Sequence, residues 1–214
     1  MKFIACEPGS DEWHRARLGI PTASQAKRIL TPSKLSPSEQ RDGYMHELIA
    51  ERLLGTWLDD GRTDFMARGN ALEAEAVKYY EFAYDSTTQP GGFCTTDDGR
   101  AGCSPDRLVN PEGGLEIKCP KPSTHAGYLV KPDALVKDYK LQVLFMLWVT
   151  GRPWWDLLSY HPEMPPALVR VPRDEPSIKL IGDRMREFCD ELETLYKVAL
   201  SKRGDQPHDP IDDF

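Results

Sequence analysis

The chain has 214 residues, with 27 basic and 34 acidic side chains and a formal net charge of −7. That length fits one domain, and 40% hydrophobic with 9% aromatic residues is enough for a sizeable core, which excludes wholesale disorder. No stretch approaches the roughly 18 apolar residues of a membrane span, and Glu7, Asp11 and Glu12 interrupt the start before a signal-peptide core could form, so a cytoplasmic protein is expected.

The five cysteines (Cys6, Cys94, Cys103, Cys119, Cys189) contain no Cys-x-x-Cys pair, so reduced thiols are expected rather than a disulfide framework, a zinc ribbon or an iron–sulfur motif. The acidic balance argues against coating nucleic acid by bulk charge but leaves room for a local basic channel. Asp205, Asp209, Asp212 and Asp213 gather negative charge in the tail, so the body is nearly balanced.

In chain order, Ser10 to Leu18 reads as a short helix and Thr22 as the N-cap of a second one ending at Leu30, with Gly19-Ile20-Pro21 between them. Ser36-Pro37-Ser38-Glu39 has the form of a capping box with proline at the first helical position. Tyr44, Leu48, Ile49 and Leu53 then recur at helical spacing up to Gly55. Residues 56–67 read as irregular. From Gly69 to Tyr84 the stripe Leu72, Ala76, Tyr80, Tyr84 predicts a helix that carries Glu73 beside its packed face and points Glu75 away.

Gln89 to Lys118 reads as a meander of short strands around 93–95, 101–103, 107–109 and 115–118, turning at Asn110 to Gly114. A helix is predicted over 134–149, strands over 154–160 and 167–171, and a long C-terminal helix in which Ile178, Ile181, Met185, Phe188, Leu192 and Leu195 keep helical period.

The chemistry gathers at the last hairpin of the meander. A three-to-five-residue loop would pair Asp106 with Glu116 and bring their Cβ atoms within about 5 Å. Strand alternation puts Glu116 and Lys118 on one face and Leu115 and Ile117 on the other. Two adjacent carboxylates must take up protons, pair with the lysine or hold a divalent cation. Mg²⁺ suits them best, since it takes hard oxygens, keeps waters and needs only one or two carboxylates besides phosphate oxygens.

Asp106, Glu116 and the Ile117 carbonyl could supply the protein's share, with Lys118 left to orient or deprotonate a water. Glu73 would be a further acid, direct or through water, and Gln142 could fix the nucleophilic water. Taken singly, each has an ordinary reading: an exposed Glu-x-Lys hairpin, a solvated helix acid, a surface amide. Their joint occurrence carries the weight.

Pro105-Asp106 followed by Glu116-x-Lys118 matches the PD-(D/E)xK signature of restriction-endonuclease-like nucleases. Glu12-Trp13-His14, Arg17-Leu18-Gly19, Thr22-Ala23-Ser24, Gly69 to Glu73, Cys103 to Asp106, Gly114 to Pro120, Gln142-Val143 and Trp148-Val149-Thr150 narrow this further. In order from about residue 10 to 200, the chain resembles the bacteriophage lambda exonuclease family, also called the YqaJ-like viral recombinases.

The resemblance implies an α/β, restriction-endonuclease-like core with a central mixed β-sheet flanked by α-helices. It implies one exonuclease domain over 1–204, with N-terminal helices in 10–55, a catalytic core in 64–172, a C-terminal helix in 174–201 and an acidic mobile tail in 205–214. The implied activity is Mg²⁺-dependent 5′-to-3′ degradation of one strand of linear double-stranded DNA, with two ions and Mn²⁺ as a substitute, by a homotrimeric ring in a bacterial host cell.

By the same resemblance Asp106, Glu116 and the Ile117 carbonyl are metal ligands, Glu73 the further acid, Lys118 the catalytic lysine and Gln142 the water positioner. Arg17 and Ser24 fall where the family binds the 5′-phosphate, and their chemistry agrees: a guanidinium pairs with phosphate, and a helix amide end favours anions. Met66 is either the wedge that parts the duplex end or a loop methionine packed on the core. Residues 121–134 and the Lys34 loop diverge, leaving His125 as a candidate for the scissile phosphate.

A single-strand annealing protein is the implied partner, and the acidic tip ending in Phe214 is either its dock or a solvated tail. No ATP is expected, because no Gly-Lys-Ser/Thr loop occurs. An endonuclease on the same scaffold and a non-catalytic DNA-end-binding scaffold are the competing readings.

Overall fold

The computed structural model describes residues 1–58 and 63–203, of which 63–71 and 203 are described by backbone alone. Strand β1 (Lys2–Ile4) and helix α1 (Asp11–Arg17) are followed by a 3₁₀ turn (Ala23–Gln25), α2 (Ala26–Ile29), α3 (Arg41–Leu54) and α4 (Thr63–Ala83). Then come β2 (Thr88–Pro90), β3 (Phe93–Thr95), β4 (Gly102–Cys103), β5 (Arg107–Val109) and β6 (Gly113–Lys118). The chain continues through α5 (Pro122–Val130), α6 (Pro132–Thr150), β7 (Trp154–Ser159), β8 (Ala167–Pro172) and α7 (Glu175–Arg203).

The central sheet has five strands in the order β2-β5-β6-β7-β8, and a second sheet has the order β1-β3-β4. Only β6 and β7 run parallel in the larger sheet, joined by the helical crossover α5–α6, which makes the sheet mixed. The expected central mixed sheet flanked by helices is therefore present.

Strand β6 is central and buried on both faces, and its alternation sorts two cores. Leu115 and Ile117 pack with Leu158, Ala76 and Tyr80 under α4, and each such burial contributes roughly 1.5–3 kcal/mol. Trp155 and Leu157 join Leu141, Phe145, Ile181 and Phe188 in the larger core built by α6, α3 and α7.

Several boundaries depart from the sequence reading. Helix α3 starts at Arg41, not after Ser36. Pro37 is engaged in an antiparallel bridge with Leu30, and the Ser36 carbonyl accepts from the Thr31 amide at 2.8 Å, so this tertiary closure overrides the local capping pattern. Its end at Gly55 is as expected, with φ +67° in the left-handed region that glycine adopts without strain.

Helix α4 begins at Thr63, six residues before the predicted start, and runs through Gly69, whose cost of about 1 kcal/mol against alanine a long helix absorbs. Met66 is accordingly in a helix and not a loop; its side chain lies outside the described residues, as does the acidic tip 205–214. Helix α5, with Pro122 at its first position, and strand β1 had no counterpart in the sequence reading. Among the described residues no helix is long and apolar enough to cross a membrane.

Candidate active site

The β5–β6 hairpin turns through three residues, Asn110 to Glu112, and pairs Arg107 with Leu115. Asp106 immediately precedes β5, and Glu116 follows Leu115 on β6. The Ile117 amide donates to Asp106 Oδ2 at 2.6 Å, fixing the carboxylate against β6.

Glu116 is only 3% exposed. Its Oε1 accepts from Lys118 Nζ at 2.6 Å and from Gln142 Nε2 at 2.6 Å, while Oε2 is buried without a hydrogen-bond partner among the described residues. Gln142 reaches this position because α6 packs on the face of the sheet from which Glu116 and Lys118 project.

The electrostatics follow from this crowding. Desolvation first, and the charge of Glu116 second, push the Asp106 carboxyl well above the usual range, against the opposing pull of Lys118. The same two causes raise Glu73. Burial works against the Lys118 ammonium, but Glu116 and Asp106 outweigh it and raise its pKa above the usual lysine range. Lys118 is thus held as a cation, 4.9 Å from the Tyr139 ring centroid.

These groups share one cavity of about 670 Å³, lined by Glu73, Asp106, Glu116, Lys118 and Gln142 together with Arg17 and Ser24. The Arg17 guanidinium lies 4.1 Å from the Trp13 ring centroid. Trp13 Nε1 in turn donates to Ser104 Oγ at 2.9 Å, and Ser104 donates to the Gly92 carbonyl at 2.9 Å. Helix α1 is thereby tied to the segment that delivers Asp106. Ser24 is exposed in the 3₁₀ turn, a weaker amide end than the continuous short helix expected from Thr22 to Leu30, with its Oγ 3.4 Å from Thr22 Oγ1.

His125 is corrected. It is fully buried, with Nδ1 2.7 Å from Ser159 Oγ and Nε2 2.9 Å from the Pro165 carbonyl, so both ring nitrogens are spent inside the fold and it cannot grip a phosphate. Two participants went unread in the sequence. Glu51 is a buried carboxylate that clamps the Gly19 amide, and Trp57 lines the cavity from a stretch dismissed as irregular. The one signal for the latter was a tryptophan among polar residues.

Among the described residues no three His, Cys, Asp or Glu side chains form a ready-made metal cage. The cavity instead offers carboxylate oxygens, and the partnerless Glu116 Oε2 is a buried acceptor costing about 1–3 kcal/mol that a hard cation would satisfy. The residues present therefore fit a divalent ion with water and phosphate oxygens completing its shell.

Known proteins resemble this chain over most of its length. The model of the YqaJ-like viral recombinase domain matches residues 12–153. The crystal structure of LHK-Exo in complex with dAMP is similar at 31% identity and a TM-score of 0.80, covering 92% of this chain and 99% of that one. The alkaline exonuclease LHK-Exo from Laribacter hongkongensis is similar at 30% identity and a TM-score of 0.78, with the same coverage. A phage-related exonuclease from Haemophilus somnus 129PT shares the fold at 14% identity, a TM-score of 0.66, and 86% and 96% coverage. No curated protein matches the chain. With the match spanning well over half its length, this chain belongs to the YqaJ-like viral recombinase family, and its fold is that of the alkaline exonucleases it resembles.

Proposed function

We propose that the protein is a divalent-metal-dependent exonuclease that degrades one strand of linear double-stranded DNA from a 5′-phosphorylated end, leaving 3′ single strand for annealing-type recombination. The observation that carries this reading is the convergence of Asp106, Glu116, Lys118 and Gln142 on one cavity with Arg17 and Ser24. A relative 31% identical over nearly its whole length, seen in complex with dAMP, supports DNA as the substrate class.

Asp106, Glu116 and the Ile117 carbonyl would hold the ion, with Glu73 as a further acid directly or through water. The oxygen-only donor set favours Mg²⁺, with Mn²⁺ as a substitute and room for two ions. When bound, the metal supplies an acidified water and a Lewis acid for the leaving 3′-oxygen. Gln142, fixed by Glu116, orients the water, and the Lys118 ammonium offsets the charge that gathers on the phosphoryl oxygens. Arg17 and Ser24 bind the terminal 5′-phosphate, which sets the register of the scissile bond.

Assembly as a homotrimeric ring and delivery of the product strand to a single-strand annealing protein belong to the same proposal.

A time course with linear duplex labelled at each strand end, with and without 5′-phosphate, in Mg²⁺ and in EDTA, tests the reading. Metal-dependent mononucleotide release from the phosphorylated 5′ end, with the other strand intact and Arg17→Ala abolishing the phosphate preference, is the expected result. Cuts in closed circular DNA would establish an endonuclease instead, and binding without cleavage a scaffold.

A further inference from the structure

Trp57 sits beyond α3, on the rim of the cavity that holds Arg17. Its ring packs at a tilt of 34° against His14 with centroids 4.5 Å apart, and its centroid lies 5.9 Å from the Arg17 guanidinium carbon. The other large aromatics of this cavity are committed elsewhere. Tyr44 and Phe93 are buried, and Trp13 is buried with Arg17 over its face and its Nε1 bonded to Ser104. Trp57 is half-buried and lines the cavity.

Its placement is enforced by a buried acid. Glu51, 7% exposed, accepts from the Gly19 amide through Oε2 at 2.8 Å and from the Leu58 amide through Oε1 at 3.3 Å. One carboxylate therefore ties the residue after Trp57 to the turn that ends the Arg17 helix. Arg52 closes the same clamp, donating from Nε to the Gly19 carbonyl at 2.6 Å. A large aromatic on an otherwise polar stretch is thus held at a fixed distance from a phosphate-binding cation.

From this geometry we infer that Trp57 is the stacking platform for the nucleobase of the terminal nucleotide, so that the enzyme grips a DNA end by its 5′-phosphate at Arg17 and by the face of its first base at Trp57. Every base has a π-face, so the contact is tolerant of sequence, and it favours ends whose terminal pair opens readily. The inference rests on the exonuclease reading for Arg17. Stacking acts on bound substrate before the bond breaks, so its loss raises KM and leaves kcat in place.

The test uses the full chain carrying Lys118→Ala, which stops turnover, and a 5′-phosphorylated duplex with 2-aminopurine, whose fluorescence is quenched by stacking, at position 1 or at position 4. The expected result is added quenching at position 1 on binding, lost in Trp57→Ala and kept in Trp57→Phe, with position 4 unchanged in all three. With Lys118 left in place, the same Trp57 series in nuclease assays should show KM rising about tenfold in Trp57→Ala with kcat within twofold. Position 1 quenching that survives in Trp57→Ala overturns the inference, as does a loss that Trp57→Phe fails to restore while its melting temperature matches wild type. Intact quenching with no cleavage by wild-type protein would instead defeat the exonuclease reading alone.

Discussion

Lys118 Nζ and Glu116 Oε1 leave the same face of one strand and meet at 2.6 Å, an ion pair inside the cavity rather than on the surface. Replacing the lysine by methionine keeps the stem and removes the charge. We expect Lys118→Met to lower kcat on linear duplex by about 10²–10³-fold, the usual worth of one donor to a developing oxyanion, with a near-native melting temperature. Single-turnover rates at saturating DNA and Mg²⁺ measure it, and a variant keeping more than a third of the rate would remove Lys118 from the chemistry.

The hairpin that brings Asp106 to β6 and the Glu116–Lys118 pair were legible because strand alternation and a short turn leave few alternatives: the Ile117 amide holds Asp106, and Lys118 meets Glu116. Helix α3 shows where such reading stops. Ser36-Pro37-Ser38-Glu39 is locally a good cap, but the bridge from Pro37 to Leu30 is a contact made in space, and it won. His125 failed for the same reason, since Ser159 and the Pro165 carbonyl that occupy its nitrogens are 34 and 40 residues away in the chain. Glu51 carries no sequence signal and Trp57 only that of a tryptophan among polar residues, because their meaning lies in what the fold brings beside Gly19.

The acids make metal-free stability depend on pH. Asp106 and Glu73 have carboxyls raised by desolvation and by Glu116, so the folded protein holds protons that the unfolded chain, titrating near about 4, has released. Below the unfolded pKa the two states bind protons alike. As pH rises from about 4 through the raised folded values, the folded state is penalised and stability falls. In EDTA the melting temperature should therefore decline across that window, and Mg²⁺ should raise it more at the alkaline end, because the ionised carboxylates bind the ion. A Mg²⁺ increment that shrinks with rising pH would contradict the assignment of these acids as ligands.

Gly91 governs the placement of Asp106 from outside the cavity. A Cβ on Gly91 would come within 1.9 Å of the Pro105 carbonyl oxygen, which immediately precedes the metal-ligand candidate. Backbone must move to admit it, and a shift approaching 1 Å at a reacting centre costs about 10²-fold in rate. Gly91→Ala is expected to lose that much kcat/KM. Gly127→Ala, where nothing lies within 4 Å of the added methyl, should cost nothing. Equal activity in the two variants would show that Asp106 tolerates the displacement.

Behind the site, β7 carries Asp156, fully buried, with Arg170 donating to it from Nε at 2.8 Å and from a second nitrogen at 2.9 Å and Tyr80 donating at 2.7 Å. The guanidinium is sandwiched further by the Trp154 ring, 3.6 Å from its centroid. This charge cluster lies on the strand beside β6 and joins β8 and α4 to it, without lining the catalytic cavity. The carboxylate is buried but the Arg170 side chain is 55% exposed, so water screens the pair and Tyr80 still donates to Asp156; Arg170→Met should destabilise the protein by about 1–2 kcal/mol. For a chain of this size that is roughly a 2–8 °C fall in melting temperature. Replacing both charges, in Asp156→Leu with Arg170→Met, removes the desolvation penalty along with the attraction and should recover part of the loss. Nuclease rates at 25 °C should stay within about twofold in both. A double variant less stable than the single one would mean that the pair contributes net stability and that Tyr80 cannot be left without its acceptor.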